Sequence, residues 1–185
     1  IMSRGIVALE TFGRFGNQMF QYAFARAYAE RYDLELQTDD WVGRRIFGIN
    51  DPIKTPGLPR RSEVDLEFGS TGFEFYGYAQ SQRCMIYTKK QAQLWFNFRP
   101  EILDELKRCI PPDDLIVCHE RRGDYFGYGY VVVSKKSYLN TLRRLKISHL
   151  KTEFVSEENP IKSVNLPDSL QFLPDFFSLM SAPIL

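Results

Sequence analysis

The sequence predicts an α/β protein made of two halves, each built on a parallel sheet. Strand-like and helix-like segments alternate along all 185 residues, and the pair Pro111-Pro112 interrupts this alternation. The composition, 44% hydrophobic and 25% charged, is typical of a globular rather than a disordered chain. We therefore predict an N-terminal half at 1–110 and a C-terminal half at 111–185.

A βαβ unit opens the chain. A β-branched apolar run predicts a buried strand at 5–10, and the mostly apolar stretch at 18–31 predicts a helix largely covered by protein. Alternation of apolar and polar residues at 34–38 predicts the second strand. Strand, helix and strand within so short a stretch indicate a parallel sheet.

The later elements follow from the same patterns. Frequent proline and glycine at 51–72 predict a long surface loop, and Pro100 suits the first turn of a helix. In the N-terminal half we predict one strand and two helices, at 73–78, 81–96 and 101–109. In the C-terminal half we predict strands at 115–119, 152–156 and 163–166 and helices at 137–147 and 174–181.

Charge and cysteine content exclude several classes of protein. Twenty-four Lys and Arg against 23 Asp and Glu leave a net charge of +1, so the chain lacks the basic field of a nucleic-acid or acidic-membrane binder. No apolar run reaches the roughly 20 residues of a membrane span. Cys84, Cys109 and Cys118 suit neither a disulfide framework nor a zinc site. Together with the lack of Asn-x-Ser/Thr, this favours the cytoplasm, although a Golgi-luminal enzyme without its anchor would look the same.

A glycine-rich motif, Gly13-Arg14-Phe15-Gly16-Asn17, stands between the first predicted strand and the first predicted helix. Backbone N–H groups and the positive end of the helix dipole meet there, and glycine allows a ligand to approach the backbone closely. Arg14 adds a full positive charge, so the motif is a candidate anion site. It matches neither Walker A nor the dinucleotide-binding GxGxxG pattern. The alternative is a glycine turn with Asn17 as an ordinary helix cap.

A second candidate site ends the strand predicted at 115–119, where the sequence reads His119-Glu120-Arg121-Arg122-Gly123-Asp124. In an open parallel sheet, ligands bind outside the carboxyl ends of the strands. Two adjacent arginines offer bidentate hydrogen bonds to phosphate, and Asp124 could hold one guanidinium in place. No acidic residue follows until Glu153, whereas six Lys and Arg do. The alternative is a solvated turn with a surface ion pair worth under ~1 kcal/mol.

Both motifs resemble one family. The stretch 13–23 (GRFGNQMFQYA) resembles the N-terminal signature of the α-1,2-fucosyltransferases, and 119–124 matches their His-x-Arg-Arg-x-Asp motif. The segments 77–81, 153–156 and 174–184 are also similar to stretches of that family, so the resemblance covers nearly the whole chain.

The resemblance implies a GT-B-like architecture, in which two Rossmann-like halves face each other. It also implies transfer of L-fucose from GDP-fucose to a glycan hydroxyl, with α-1,2 linkage, inversion, no essential metal and no cofactor. The acceptor would be a glycan ending in galactose, and the N-terminal half would be the acceptor side. Arg121 or Arg122 would hold the β-phosphate and stabilise the leaving GDP, with His119 and Asp124 supporting the donor site. From the other half, Arg14, Gly16 and Asn17 would close on the diphosphate or the fucose.

The chain departs from the family pattern in two ways. It has no carboxylate between Asp124 and Glu153 to deprotonate an acceptor, so the general base stays open among four carboxylates: Glu10, Asp39, Asp40 and Glu120. The family also continues beyond residue 185 into a donor-pocket segment, so we expect the second half to be incomplete. The alternatives are another fucosyltransferase, such as a protein O-fucosyltransferase, and a module that binds a GDP-sugar or glycan without turnover.

Overall fold

A computed structural model describes residues 4–110, 115–156, 158, 160–163 and 165–181, apart from the side chains of Asp124 and Phe126. The chain forms two compact units, Ile1–Arg99 (unit 1) and Pro100–Leu185 (unit 2). Helices and parallel strands make up both units, which confirms the predicted α/β class.

Unit 1 is built on a four-stranded parallel sheet. Its elements are β1 (Ile6–Leu9), α1 (Phe15–Arg31), β2 (Glu35–Thr38), α2 (Val42–Phe47), β3 (Arg60–Ser62), β4 (Phe73–Tyr76) and α3 (Lys89–Trp95). The strand order is β2-β1-β4-β3, and every neighbouring pair is parallel. The carboxyl ends of these strands therefore lie at one edge of the sheet, where the glycine-rich motif follows β1.

Aromatic packing fixes which face of this sheet α1 covers. The Phe24 ring lies 4.5 Å from Phe75, and the Tyr28 ring meets Phe73 edge-on at 5.5 Å. Since side chains alternate along a strand, Glu74 and Tyr76 of β4 point to the opposite face. That face carries the polar and aromatic groups described below.

Unit 2 contains a parallel strand pair. Its elements are α4 (Pro100–Lys107), β5 (Leu115–His119), α5 (Gly123–Gly127), α6 (Lys135–Arg144), β6 (Lys151–Val155) and α7 (Leu173–Ser181). Strands β5 and β6 run parallel and in register from Leu115–Lys151 to His119–Val155. Ser134 caps α6 by accepting a hydrogen bond from the Ser137 N–H.

The division between the units falls before α4, whereas the predicted boundary at 110 falls after it. Buried Glu105 explains why α4 belongs to unit 2. Its carboxylate accepts hydrogen bonds from the Ser163 hydroxyl and from Asn165 Nδ2, the latter at 3.0 Å. These bonds hold the pKa of Glu105 below its ordinary value and tie α4 to the C-terminal part of the chain.

Three predicted elements of unit 1 need correction. The single helix predicted at 81–96 is wrong, because a 3₁₀ turn at Gln82–Cys84 precedes α3 and a capping box at Thr88 starts α3 afresh. The loop predicted at 51–72 contains β3, so proline and glycine there flank a short strand. Helix α1 begins at Phe15 rather than at residue 18.

In unit 2 the strand predicted at 163–166 is wrong over its described residues: 163, 165 and 166 are not in a strand, and 164 lies outside the described residues. Helix α5 was not predicted, and α6 ends at Arg144, earlier than residue 147.

Candidate functional site

The arginine pair of unit 2 follows β5 directly. The Glu120 N–H donates to the Val155 carbonyl at 2.8 Å, which extends the β5–β6 pairing by one residue. The chain then leaves the sheet and enters α5 at Gly123. Arg121 and Arg122 therefore lie at the carboxyl end of a parallel strand pair, where α/β proteins bind ligands.

Buried Glu120 is the electrostatic centre of this segment. It is only 3% exposed, and its carboxylate lies between two cations. Oε1 is 3.6 Å from Nη2 of Arg122, and Oε2 is 3.6 Å from Nζ of Lys135. Both distances are longer than a normal hydrogen bond, so charge attraction is the main contact.

Two polar atoms of this cluster have no hydrogen-bond partner among the residues that the structure describes: Oε1 of Glu120 and Nε of Arg122. Nη1 of Arg122 lies 3.4 Å from exposed Glu158. Buried polar atoms in native proteins nearly always have partners, so an unsatisfied pair of opposite charge marks a site with spare hydrogen-bonding capacity.

Arg121 and His119 lie on the exposed side of the segment. The Arg121 guanidinium stacks over the Tyr125 ring, 4.5 Å from its centroid, which orients the planar donor group. The His119 carbonyl accepts a hydrogen bond from Tyr138 Oη at 2.8 Å, and this bond fixes α6 against the end of β5. The side chain of Asp124 is outside the described residues, so its predicted pairing with a guanidinium stays a prediction.

The basic stretch after the arginine pair contributes one close cation. Lys135, at the start of α6, reaches Glu120 and also stacks over the Phe154 ring at 5.1 Å. Arg143, in the last turn, instead donates to Asn140 at 2.7 Å and is exposed.

Burial and the charge of Glu120 raise the pKa of the Cys118 thiol, so this cysteine is a protonated core residue.

In unit 1, the glycine-rich motif forms a tight turn into α1. Gly13 has a φ of 75°, and Arg14 occupies the cap position of the helix. The first turn of α1 holds no acidic residue, so no carboxylate offsets its positive dipole end there. A Cβ added at Gly16 would meet no atom within 4 Å, so the space beside this residue is open to a ligand.

Side chains hold this turn in place. Gln21, fully buried, accepts from the Phe12 N–H at 3.0 Å and donates to the Phe12 carbonyl at 3.1 Å. Gln18 donates to the Gly13 carbonyl at 3.0 Å. Asn17 accepts from Gln80 Nε2 at 2.9 Å and lies inside the helix, so it is not the cap that the alternative interpretation required.

The carboxylates considered as bases differ in their surroundings. Asp39 accepts hydrogen bonds from the N–H and hydroxyl of Thr11, yet burial raises the pKa of Asp39 above its usual value. A hydrogen bond from Lys54 at 2.5 Å, with the charge of that lysine, lowers the pKa of Glu10. The side chain of Asp40 is 84% exposed.

Sequence reasoning missed the roles of Gln21 and Lys135 and left that of Glu120 open. A glutamine between Phe20 and Tyr22, in a mostly apolar stretch, could have indicated a buried side chain that hydrogen-bonds to the backbone. Glu120 stands two residues after buried Cys118, and strand alternation would have placed it on the same face.

Among the described residues, no helix combines the length and apolar character needed to cross a membrane, and no group of three or more His, Cys, Asp or Glu could hold a metal ion. Compared with known proteins, the sequence matches no protein-family model and no curated protein. The description of the two turns as candidate sites therefore rests on their geometry.

Proposed function

We propose that the chain is part of a GT-B-like fucosyltransferase that binds GDP-fucose through Arg121 and Arg122 and transfers fucose to a glycan hydroxyl. In that reaction the bond between the fucose anomeric carbon and the β-phosphate oxygen breaks, and GDP leaves with the electron pair. The acceptor oxygen forms the new glycosidic bond and loses its proton. The resemblance of both motifs to α-1,2-fucosyltransferases supplies the identity of the donor.

One observation carries the proposal: two adjacent arginines follow a parallel strand, and the buried carboxylate beside Arg122 makes only charge contacts with it. A diphosphate supplies acceptors for guanidinium donors that make no hydrogen bond to Glu120, and arginine charge stabilises the negative charge that develops on the leaving group. His119 and Asp124 of this segment remain the further donor-site residues that the resemblance implies, and the role that it gives to Arg14, Gly16 and Asn17 stays a prediction.

Calorimetry with GDP on Arg121→Ala and Arg122→Ala tests the assignment. Loss of a charge-assisted phosphate contact should weaken binding by about 2 kcal/mol, or about 30-fold. Arg144→Ala is the matched control, because Arg144 lies exposed in the last turn of α6 and should leave the affinity unchanged. If neither substitution in the pair weakens binding, the donor-site assignment is wrong.

Turnover is measured separately, as release of GDP from GDP-fucose in the presence of lactose. Release that depends on Arg121 and Arg122 supports the transferase. Tight GDP binding without any release would instead identify a binding module and contradict the proposed reaction.

A further inference from the structure

Three aromatic rings lie together at the carboxyl edge of the unit 1 sheet. Phe12 follows β1, Tyr76 ends β4 and Tyr78 comes two residues later. The Phe12 ring stacks on Tyr76 with centroids 5.0 Å apart and contacts the Tyr78 ring at an angle of 60°, with centroids 4.8 Å apart. Tyr76 is 47% exposed and Tyr78 is 50% exposed, so the group, here called the aromatic platform, presents ring surface to solvent.

The platform is fixed in advance of any ligand. Gln21 holds the backbone of Phe12 on both sides, and the Ala79 N–H donates to Glu63 Oε1 at 2.5 Å in a left-handed turn with φ 55°. Gly77 is needed between the tyrosines, because a Cβ there would come within 2.8 Å of the Glu63 side chain. A rigid surface loses little conformational entropy when a ligand binds.

Charged groups form the rim of the platform. Arg60 stacks over the Tyr76 ring at 5.3 Å and donates to Glu74 at 2.8 Å and to Glu10 at 3.0 Å. Lys54 bonds to Glu10 at 2.5 Å and to Glu74 at 2.7 Å. Two carboxylates and two cations sum to zero, so this rim supplies no net positive charge for a phosphate.

The rim still has hydrogen-bonding capacity. A guanidinium carries five N–H donors, and Arg60 uses Nε and Nη2 in the bonds above. The Arg60 side chain is 57% exposed and that of Glu10 45% exposed, so a donor and an acceptor lie in reach of a ligand seated on Tyr76.

We propose that Phe12, Tyr76 and Tyr78 bind a neutral pyranose ring, with Arg60 and Glu10 hydrogen-bonding its hydroxyls. A pyranose has an apolar C–H face that suits an aromatic ring and an edge of hydroxyls that suits planar donors and acceptors. The absence of net charge at the rim disfavours a nucleotide. Sugar binding here does not depend on GDP binding in unit 2; only the role of this sugar as the fucose acceptor rests on the proposed function.

The test titrates the protein with lactose, methyl galactoside and methyl glucoside and follows binding by saturation-transfer NMR. Tyr78→Ala should weaken the strongest binder at least about tenfold, whereas Tyr78→Phe, which keeps the ring, should stay within about threefold. Tyr128→Ala is the matched control, because Tyr128 is a 74% exposed tyrosine in unit 2 and should have no effect.

Three outcomes overturn the proposal: no pyranoside binds the wild-type protein, Tyr128→Ala weakens binding as much as Tyr78→Ala, or guanosine rather than a sugar binds in a Tyr78-dependent way. GDP affinity is measured on the same variants. Tryptophan-detected urea unfolding of Tyr78→Ala shows whether unit 1 is folded, because Trp41 and Trp95 lie in that unit, and an unchanged GDP affinity separates failure of the sugar site from failure of the donor site.

Discussion

The segments after β1 and β5 occupy the same place in their units, between a parallel strand and a helix, yet they use their polar groups differently. After β1, side chains hydrogen-bond to the turn itself: Gln21 binds the N–H and the carbonyl of Phe12, and Asp39 accepts from the N–H and the hydroxyl of Thr11. After β5, Glu120 and Arg122 meet at 3.6 Å without a hydrogen bond.

This difference separates a turn whose polar groups hold its conformation from one whose charged groups keep hydrogen-bonding capacity for the anion proposed above. Satisfied polar groups stabilise a conformation and have little left to offer, whereas a guanidinium that makes no hydrogen bond to its neighbouring carboxylate keeps donors for a bound anion. A glycine turn before a helix is therefore weaker evidence for an anion site than the arginines are. Substitutions in the two segments should accordingly affect different measurements.

The largest effect is expected for Gln21→Ala. It removes two hydrogen bonds and leaves the donor and acceptor of Phe12 unsatisfied, which should lower the free energy of unfolding of unit 1 by about 3 kcal/mol. Urea unfolding followed by tryptophan fluorescence reports on this unit, because Trp41 and Trp95 both lie in it. Gln18→Ala is the control, since it removes one exposed bond and should cost under about 1 kcal/mol. Equal losses of unfolding free energy in Gln21→Ala and Gln18→Ala would contradict the role of Gln21 in holding the Phe12 backbone.

Glu120→Gln should change ligand affinity instead. Glutamine keeps the shape of the side chain but removes a negative charge from beside Arg122 and Lys135, so GDP should bind about 1 kcal/mol more tightly at low salt. Calorimetry measures the change. Glu158→Gln is the control, because the Glu158 side chain is 70% exposed and its charge is better screened. Weaker GDP binding by Glu120→Gln would show that the carboxylate orients Arg122. It would contradict the prediction that the negative charge of Glu120 opposes GDP binding.

The sequence predicted the parts of the fold that depend on periodicity. The strands β1, β2, β4, β5 and β6 and their parallel arrangement follow from short apolar runs alternating with helices. The three-residue strand β3 could not be predicted, because its residues, Arg60, Arg61 and Ser62, have no apolar pattern. Arg60 pairs with Glu74 across the sheet, a contact that depends on tertiary structure.

The same limit applies to the site. Arg121 and Arg122 were placed correctly at the end of β5, because a motif and a strand boundary define that position. Asp124 was predicted to hold one of the two guanidiniums, and this stays a prediction because its side chain lies outside the described residues; the described contacts of Arg122 are with Glu120 and Glu158. Choosing among nearby carboxylates requires knowing which ones are buried, and sequence spacing does not supply that.

The smallest effect is expected at Asp39, the carboxylate that holds Thr11. Burial raises its pKa in the folded state above the unfolded value near 4, so the folded state keeps this proton to higher pH. The stability that the proton contributes is present below the unfolded pKa and is lost as the pH rises through the folded pKa. Asp39→Asn cannot titrate, so its unfolding free energy, relative to wild type, should rise as the pH increases from about 4.

Tryptophan-detected urea unfolding across this pH range measures the difference, and Asp40→Asn, at a side chain 84% exposed, is the control that should follow wild type. A flat difference for Asp39→Asn would mean that the bonds from Thr11 offset burial completely. The carboxylate bound to Thr11 would then carry no net electrostatic cost of burial, in contrast to Glu120, the buried carboxylate whose Oε1 accepts no hydrogen bond among the described residues.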